Sequence, residues 1–274
     1  LQIITSMMAP ALVTLPLEPV SFESDDPLLP VIGESMRAQL DTLRALAQQR
    51  KATLLLTGPT GVGKTRLARW CHENSSRKGK PFCSIQLHGL SSEMVMGQLF
   101  GVREGAYTGA RDSVGLIEAA KGGTLFIDEI DKIPVESQKP LLELLSEFTY
   151  RPLGHTGAAR KADVRIIVAT NRDLEGLVAR GAFPEDLYYR IHVLSFRVPS
   201  LAERRDEIPG WGQYALAQHV AEEESEQKAS MTVAAEASLS AYDWPGNLRQ
   251  HDNVIKRAYV LALSQTGDSA PVVD

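Results

Sequence analysis

Gly58-Pro59-Thr60-Gly61-Val62-Gly63-Lys64-Thr65 fits the pattern G-x-x-x-x-G-K-[ST] at every fixed position. Thr53-Leu54-Leu55-Leu56-Thr57, an apolar run of strand length, leads into it, and the helix-forming run Arg66-Leu67-Ala68-Arg69-Trp70 leads out. A phosphate loop needs that strand–loop–helix context. Its glycines curl the backbone so that N–H groups and the helix N-terminus face an anion. The stretch from Gly58 to Thr65 therefore predicts a nucleoside triphosphate site. Lys64 reaches the β- and γ-phosphates, and the Thr65 hydroxyl sits on Mg²⁺.

Outward from the loop, strands and helices alternate. On the N-terminal side, Met36, Leu40, Leu43 and Leu46 form one apolar helical face with Ser35 as N-cap. Residues 1–30 carry Pro10, Pro16, Pro19, Pro27 and Pro30 and the acidic Glu23-Ser24-Asp25-Asp26, and read as an extended linker. On the C-terminal side, Phe82–Leu87 reads as a strand and Ser91–Phe100 as a helix with Met94, Leu99 and Phe100 inward. Val114–Ala120 reads as a short helix and Gly123–Ile127 as a strand. Leu141, Leu142, Leu145 and Phe148 mark another helix, with Pro140 setting its first turn or kinking it. The β-branched run Val164–Thr170 reads as a central strand, and Ile191–Val198 as one more. This alternation predicts an α/β fold, a parallel sheet covered by helices on both faces.

After Pro209 no strand signal remains, and Trp211–Glu224, Val233–Tyr242 and Asn247–Leu263 read as helices of a small all-α unit. The expected division is a linker over 1–30, an α/β nucleotide-binding subdomain over 31–204, a helical lid over 205–265 and a tail over 266–274.

At 274 residues and 43% hydrophobic, the chain is long enough for a large core plus a small satellite. A formal charge of −5 gives no global pointer to nucleic acid or an anionic membrane. Cys71 and Cys83 lack metal-ligand spacing and read as two buried thiols in a reducing compartment. No apolar run reaches membrane-spanning length, and the proline-broken start lacks a basic signal-peptide region. The expectation is a cytoplasmic protein without a membrane span, and a start at Leu1 reads as a fragment of something longer.

Asp128-Glu129 closes an apolar strand downstream of the loop. Placed there, Asp128 holds Mg²⁺ and Glu129 polarises the attacking water. The metal neutralises one carboxylate and leaves the other free as base. Asn171 stands just past Val164–Thr170 and lies beside the phosphate loop if that strand is the loop's sheet neighbour. A neutral amide there senses the γ-phosphate or orients the water.

Gln98-Leu99-Phe100-Gly101 followed by Gly105-Ala106-Tyr107-Thr108-Gly109-Ala110 resembles the GAFTGA loop of bacterial enhancer-binding proteins. These are AAA+ ATPases that activate transcription by sigma-54 RNA polymerase. The likeness extends through Gly122–Ile130, Ala169–Leu174, Asp186–Arg190 and Trp244–Arg249, in family order over about residues 31 to 262. It implies an AAA+ P-loop NTPase sheet with a small all-α lid, ATP and Mg²⁺ bound between subunits of a ring, hexameric in the family, and remodelling of the sigma-54 RNA polymerase closed complex. By the same resemblance, Gly105, Ala106, Tyr107, Thr108, Gly109 and Ala110 contact sigma-54, and an uncharged loop with one aromatic tip suits that task. Pro152–Lys161 would be a second mobile loop hinged at Gly154 and Gly157. Ile32 and Gly33 would lie near adenine, and Arg249 would sense the γ-phosphate in cis. Arg190 would be an arginine finger for the next subunit. Asn247, after Trp244-Pro245-Gly246, reads as N-cap of Arg249's helix. Family members usually bind DNA through a helix-turn-helix, which is expected to lie outside this sequence.

The departures from the family pattern bear on activity. Pro184 occupies the position of a second trans-acting arginine, for which Arg180 is a candidate substitute. Tyr107 replaces Phe, Gln86 replaces an Asn that restrains the catalytic Glu, and Gln250-His251-Asp252 replaces Glu-Leu-Glu. Two alternatives follow: a regulator that binds ATP and assembles but hydrolyses weakly, or an AAA+ remodeller of another client.

Overall fold

The computed structural model describes residues 26–222, 229–266 and 272–273. Residues 1–25 of the expected linker, the end of the expected helix Trp211–Glu224 and most of the expected tail lie outside them. The chain folds as two compact units. One comprises Leu40–Gly58 and Lys64–Val198; the other comprises residues 26–39, Pro59–Gly63 and the chain from Pro199.

Helix α1 (Glu34–Ala47) buries Met36, Leu40 and Leu43, with Leu46 half-buried. Its cap differs from expectation, because Ser35 lies inside the first turn. The N–H groups of Gly33 and Glu34 bond instead to the carboxylates of Glu207 at 3.0 Å and Asp206 at 2.8 Å. Acids at that end also complement the helix dipole.

The sheet unit is built on β1 (Leu54–Thr57), β2 (Phe82–Gln86), β3 (Thr124–Asp128), β6 (Arg165–Thr170) and β7 (Leu194–Arg197). Between β3 and β6 in the chain, β4 (Thr149–Tyr150) and β5 (Arg160–Lys161) form a separate antiparallel ladder. The five strands run in the order β2-β3-β6-β1-β7, and every pairing is parallel. Central parallel strands are covered on both faces, so Leu54-Leu55-Leu56 and Ile166-Ile167-Val168 read as unbroken apolar runs and are buried. The ladders end at different levels. β1–β6 runs to Thr57↔Thr170 and β2–β3 to Gln86↔Asp128, but β3–β6 stops at Ile127↔Val168.

The helices of this unit are α2 (Lys64–Glu73), α3 (Ser92–Phe100), α4 (Leu116–Ala119), α5 (Val135–Glu147), α6 (Leu174–Ala179) and α7 (Glu185–Ile191). In α3 the inward face is Val95, Leu99 and Phe100, whereas Met94 is 51% exposed and faces outward, contrary to expectation. Pro140 lies in the interior of α5, past the first turn. It lacks the N–H that would bond the carbonyl of Glu136, an exposed residue. Ile191 ends α7, so the last strand is shorter than expected. Cys71 is fully buried and Cys83 only partly.

The second unit contains α8 (Ile208–Glu222), α9 (Val233–Ala241) and α10 (Asn247–Thr266) around a core that includes Trp211, Leu239, Trp244, Ile255 and Tyr259. Pro209 falls in the first turn of α8, where its missing N–H costs nothing. Strand structure does occur here, contrary to expectation. β8 (Ser230–Met231) pairs in parallel with β9 (Val272–Val273), and strands of two residues are too short to show periodicity. No helix among the described residues is long and apolar enough to cross a membrane.

Candidate nucleotide site

The phosphate loop owes its path to glycine. Gly58 has φ 147° and a Cβ there would stand 2.5 Å from the Val198 carbonyl oxygen; Gly61 has φ 80° and a Cβ would stand 2.3 Å from that of Gly246. Lys64 opens α2 and its Nζ donates to the Gly58 carbonyl at 2.8 Å. The Thr65 hydroxyl donates to Asp128 Oδ2 at 3.4 Å, and Asp128 Oδ1 accepts the Glu129 N–H at 2.9 Å. The structure thus gathers Thr65, Asp128 and Glu129 into one cluster, with Lys64 beside Thr65 at the head of α2. The β1–β6 register sets Thr57 opposite Thr170, so Gly58 and Asn171 leave neighbouring strand ends and the condition placed on Asn171 is met.

Glu129 adopts a left-handed backbone, φ 54° and ψ 50°, unusual for a residue with a side chain. Gln86 Nε2 donates to its Oε1 at 3.2 Å, so the longer amide still reaches the carboxylate. His88 Nδ1 lies 3.6 Å from Glu129 Oε2. Nothing in the sequence singled out His88, an exposed residue just past a strand.

In the second unit, Asn247 is not an N-cap in the usual sense. Its φ is 52° and its amide is buried, accepting the Leu201 N–H at 2.7 Å and donating to the Thr60 carbonyl at 2.9 Å. Arg204 donates to the Val62 carbonyl at 2.8 Å and to Glu207 at 2.9 Å. Glu207 also accepts from Trp211 Nε1 at 2.9 Å and from the Gly33 N–H at 3.0 Å. Thr60 and Val62 are thereby fastened to the segment carrying Ile32 and Gly33. Arg204 and Glu207 escaped sequence reading because Glu203-Arg204-Arg205-Asp206-Glu207 looks like a solvated charge run. Arg249 lies in the first turn of α10, where a Cβ on Gly61 would be 3.1 Å from its own Cβ. Arg190 is exposed near the end of α7, and no hydrogen bond or ion pair joins it to Lys64, Asp128 or Glu129.

Residues 31–197 match the family described as Sigma-54 interaction domain, and residues 202–270 match the AAA+ ATPase lid domain. The chain belongs to the sigma-54 interaction domain family of AAA+ ATPases. It is 40% identical over 235 residues to the alginate biosynthesis transcriptional regulatory protein AlgB of Pseudomonas aeruginosa, covering 85% of this chain and 52% of that protein. It is 37% identical over 236 residues to the DNA-binding transcriptional regulator NtrC of Rhizobium meliloti, covering 85% of this chain and 48% of that protein. The chain spans about half the length of these curated relatives. The crystal structure of NtrX from Brucella abortus in complex with ADP aligns at 33% identity and a TM-score of 0.77, over 89% of this chain and 54% of that one. The ATP complex of the same protein aligns at 33% identity with a TM-score of 0.77, over 88% and 55%.

Within this sigma-54 interaction domain, the residues Gly105 to Ala110 form a loop with φ 83° at both Gly105 and Gly109 and with Tyr107 55% exposed at its tip. Ala110 tucks back into the core. The Arg103 guanidinium meets the Asp112 carboxylate at 2.8 Å and closes the loop's base. The Glu104 amide, then Arg103, hold the Asp112 carboxyl below the ordinary carboxylate range. The loop between β4 and β5 approaches at Gly154, where a Cβ would come within 2.7 Å of Ala106.

The donor set fits Mg²⁺. Among the described residues, no three His, Cys, Asp or Glu side chains gather as a metal cage. One hydroxyl and one carboxylate, Thr65 and Asp128, stand 3.4 Å apart. Mg²⁺ in nucleotide sites takes few protein ligands and completes its shell with phosphates and water.

Proposed function

We propose that this chain is the ATP-hydrolysing motor of a cytoplasmic sigma-54-dependent transcriptional activator, acting in a ring of copies on sigma-54 RNA polymerase. One observation carries the reading: Thr65 and Asp128 meet at 3.4 Å with Glu129 next in the chain and Asn171 just past the strand that neighbours the one leading into the phosphate loop. The ADP and ATP complexes of NtrX, a relative of the same fold, support ATP as the nucleotide.

In this reading Lys64 exchanges the Gly58 carbonyl for the β- and γ-phosphates. Thr65 and Asp128 hold Mg²⁺, whose charge stabilises the departing phosphates. Glu129 takes the proton of the attacking water. Gln86 restrains that carboxylate until it turns to the task. Asn171 orients the water, Arg249 senses the γ-phosphate in cis, and Arg190 serves the neighbouring copy. Ile32 and Gly33 face adenine. Hydrolysis moves the Tyr107 loop against sigma-54.

The test is ATP turnover across a protein concentration series, with Glu129→Ala as control. Turnover per chain that climbs with concentration and vanishes in the variant is expected. Tight ATP binding with flat, near-zero turnover would sink the motor and favour a nucleotide-gated regulator. The observation behind that second reading is Pro184, which opens α7 where the family resemblance places an arginine.

A further inference from the structure

The backbone ladder of the sheet gives out at the candidate site. β3 and β6 are paired only to Ile127↔Val168, so Glu129 and Asn171 leave two strands that no main-chain ladder bond joins at that level. A side chain crosses the gap. Asp131 sits in the short turn Ile130–Lys132, and its Oδ1 accepts the Thr170 hydroxyl at 2.6 Å. Thr170 Oγ1 in turn accepts the Arg172 N–H at 3.0 Å, which fastens the segment carrying Asn171. On the other side, the Lys132 N–H bonds to the Glu129 carbonyl at 2.9 Å, closing the turn that Glu129 begins.

The Asp131 side chain is 2% exposed, and its Oδ2 lies 3.4 Å from Lys132 Nζ. A carboxylate is costly to bury unless its oxygens are bonded, so its neighbours hold it in one place. A short, buried bond to a hydroxyl is therefore a rigid link, unlike an exposed ion pair.

We propose that Asp131 is a positioning residue. Through Thr170 it fixes the spacing between the Glu129 turn and the Asn171 loop, so that the water-activating carboxylate and the γ-phosphate-sensing amide move together. The inference rests on the roles proposed above for Glu129 and Asn171. A displacement of Asn171 when the γ-phosphate departs reaches Glu129 through one hydrogen bond, across the level where the sheet has none.

The experiment uses the full 274-residue chain. Asp131→Ala and Thr170→Val each remove one side of the bond, while Asp131→Asn and Thr170→Ser each keep an acceptor or a donor. In the first pair, kcat for ATP is expected to fall about tenfold or more with KM within about twofold, and the double variant falls no further than the worse single one. The conservative pair recovers most of the turnover. Amide hydrogen exchange, read without nucleotide, rises together over residues 129–132 and 170–172 in the first pair and stays at the parental rate in the second. Parental kcat in a folded Asp131→Ala, losses that simply add, or exchange that rises on one side alone overturns the proposal. If the parent turns over no faster than Glu129→Ala yet the two segments still loosen together, the hydrolytic reading falls and the tie stands.

Discussion

His251 is buried beside Trp244, their rings edge to face with centroids 4.7 Å apart, and its Nε2 meets no hydrogen-bond partner. Burial disfavours the imidazolium and lowers its pKa from 6.5 to about 4. The unfolded chain therefore binds a proton there before the folded one does. Stability from this group is full above pH 6.5 and is lost as pH falls towards 4, by up to about 1.4 kcal/mol per pH unit. His251→Leu should flatten that window, as read by urea unfolding at a series of pH values; a parallel fall in parent and variant would put the effect elsewhere. At this scale the sequence was partly legible. Lys64, Asp128 and Glu129 were readable because their chemistry needs fixed offsets from a loop or a strand end. Asp131, Arg204 and His251 were not, because a charged residue looks the same on paper whether tertiary packing leaves it wet or seals it in.

Among the elements, β6 and α1 are locked by a group the hydrophobic pattern disguised. Arg165 begins β6, is 1% exposed, and donates to the carbonyls of Leu46, at 2.7 Å, and Ala47. These are the last carbonyls of α1, which have no partner inside the helix. Desolvation lowers the Arg165 pKa, yet the guanidinium keeps its charge and caps the helix. Arg165→Met should cost about 1–3 kcal/mol by leaving the Ala47 carbonyl unpaired and the Leu46 carbonyl with only the 3.3 Å bond from the Gln49 N–H, read as a shift of the urea midpoint without a change in slope. An unchanged midpoint would mean water replaces the cap. Nearby, burial pushes the Cys71 thiol up to about 12, so it stands there as a neutral, unreactive neighbour. Strands such as β6 were legible from their β-branched runs. The face of α3 was not, because Met94 and Val95 are equally apolar and only packing decides between them. The two-residue ladder β8–β9 was invisible because it has no periodicity to show.

For the whole molecule, the proposed ring is the property that Arg190 and Pro184 bear on. Arg190 is exposed on α7, and Pro184 supplies the extended residue before that helix, φ −65° and ψ 130°. If copies act on one another's sites, Pro184→Arg adds a second trans-acting cation at little cost to the fold. Turnover per chain should then rise, by up to the 10³-fold scale at the low end known for arginine fingers and less where Arg190 already suffices. The gain should appear only at concentrations where rings form. Unchanged turnover in assembled rings would show that the missing arginine does not limit this protein. The order of motifs made the architecture legible, whereas the grouping of residues 59–63 with the second unit follows from Arg204 and Asn247 bonds that no local pattern announces.

The left-handed backbone of Glu129 carries a consequence for how this protein responds to selection. A side chain at φ 54° costs of order 1 kcal/mol or more that glycine would not incur. On the role proposed for Glu129, a glycine there would relieve that strain and remove the base, so heat resistance and turnover pull this position in opposite directions.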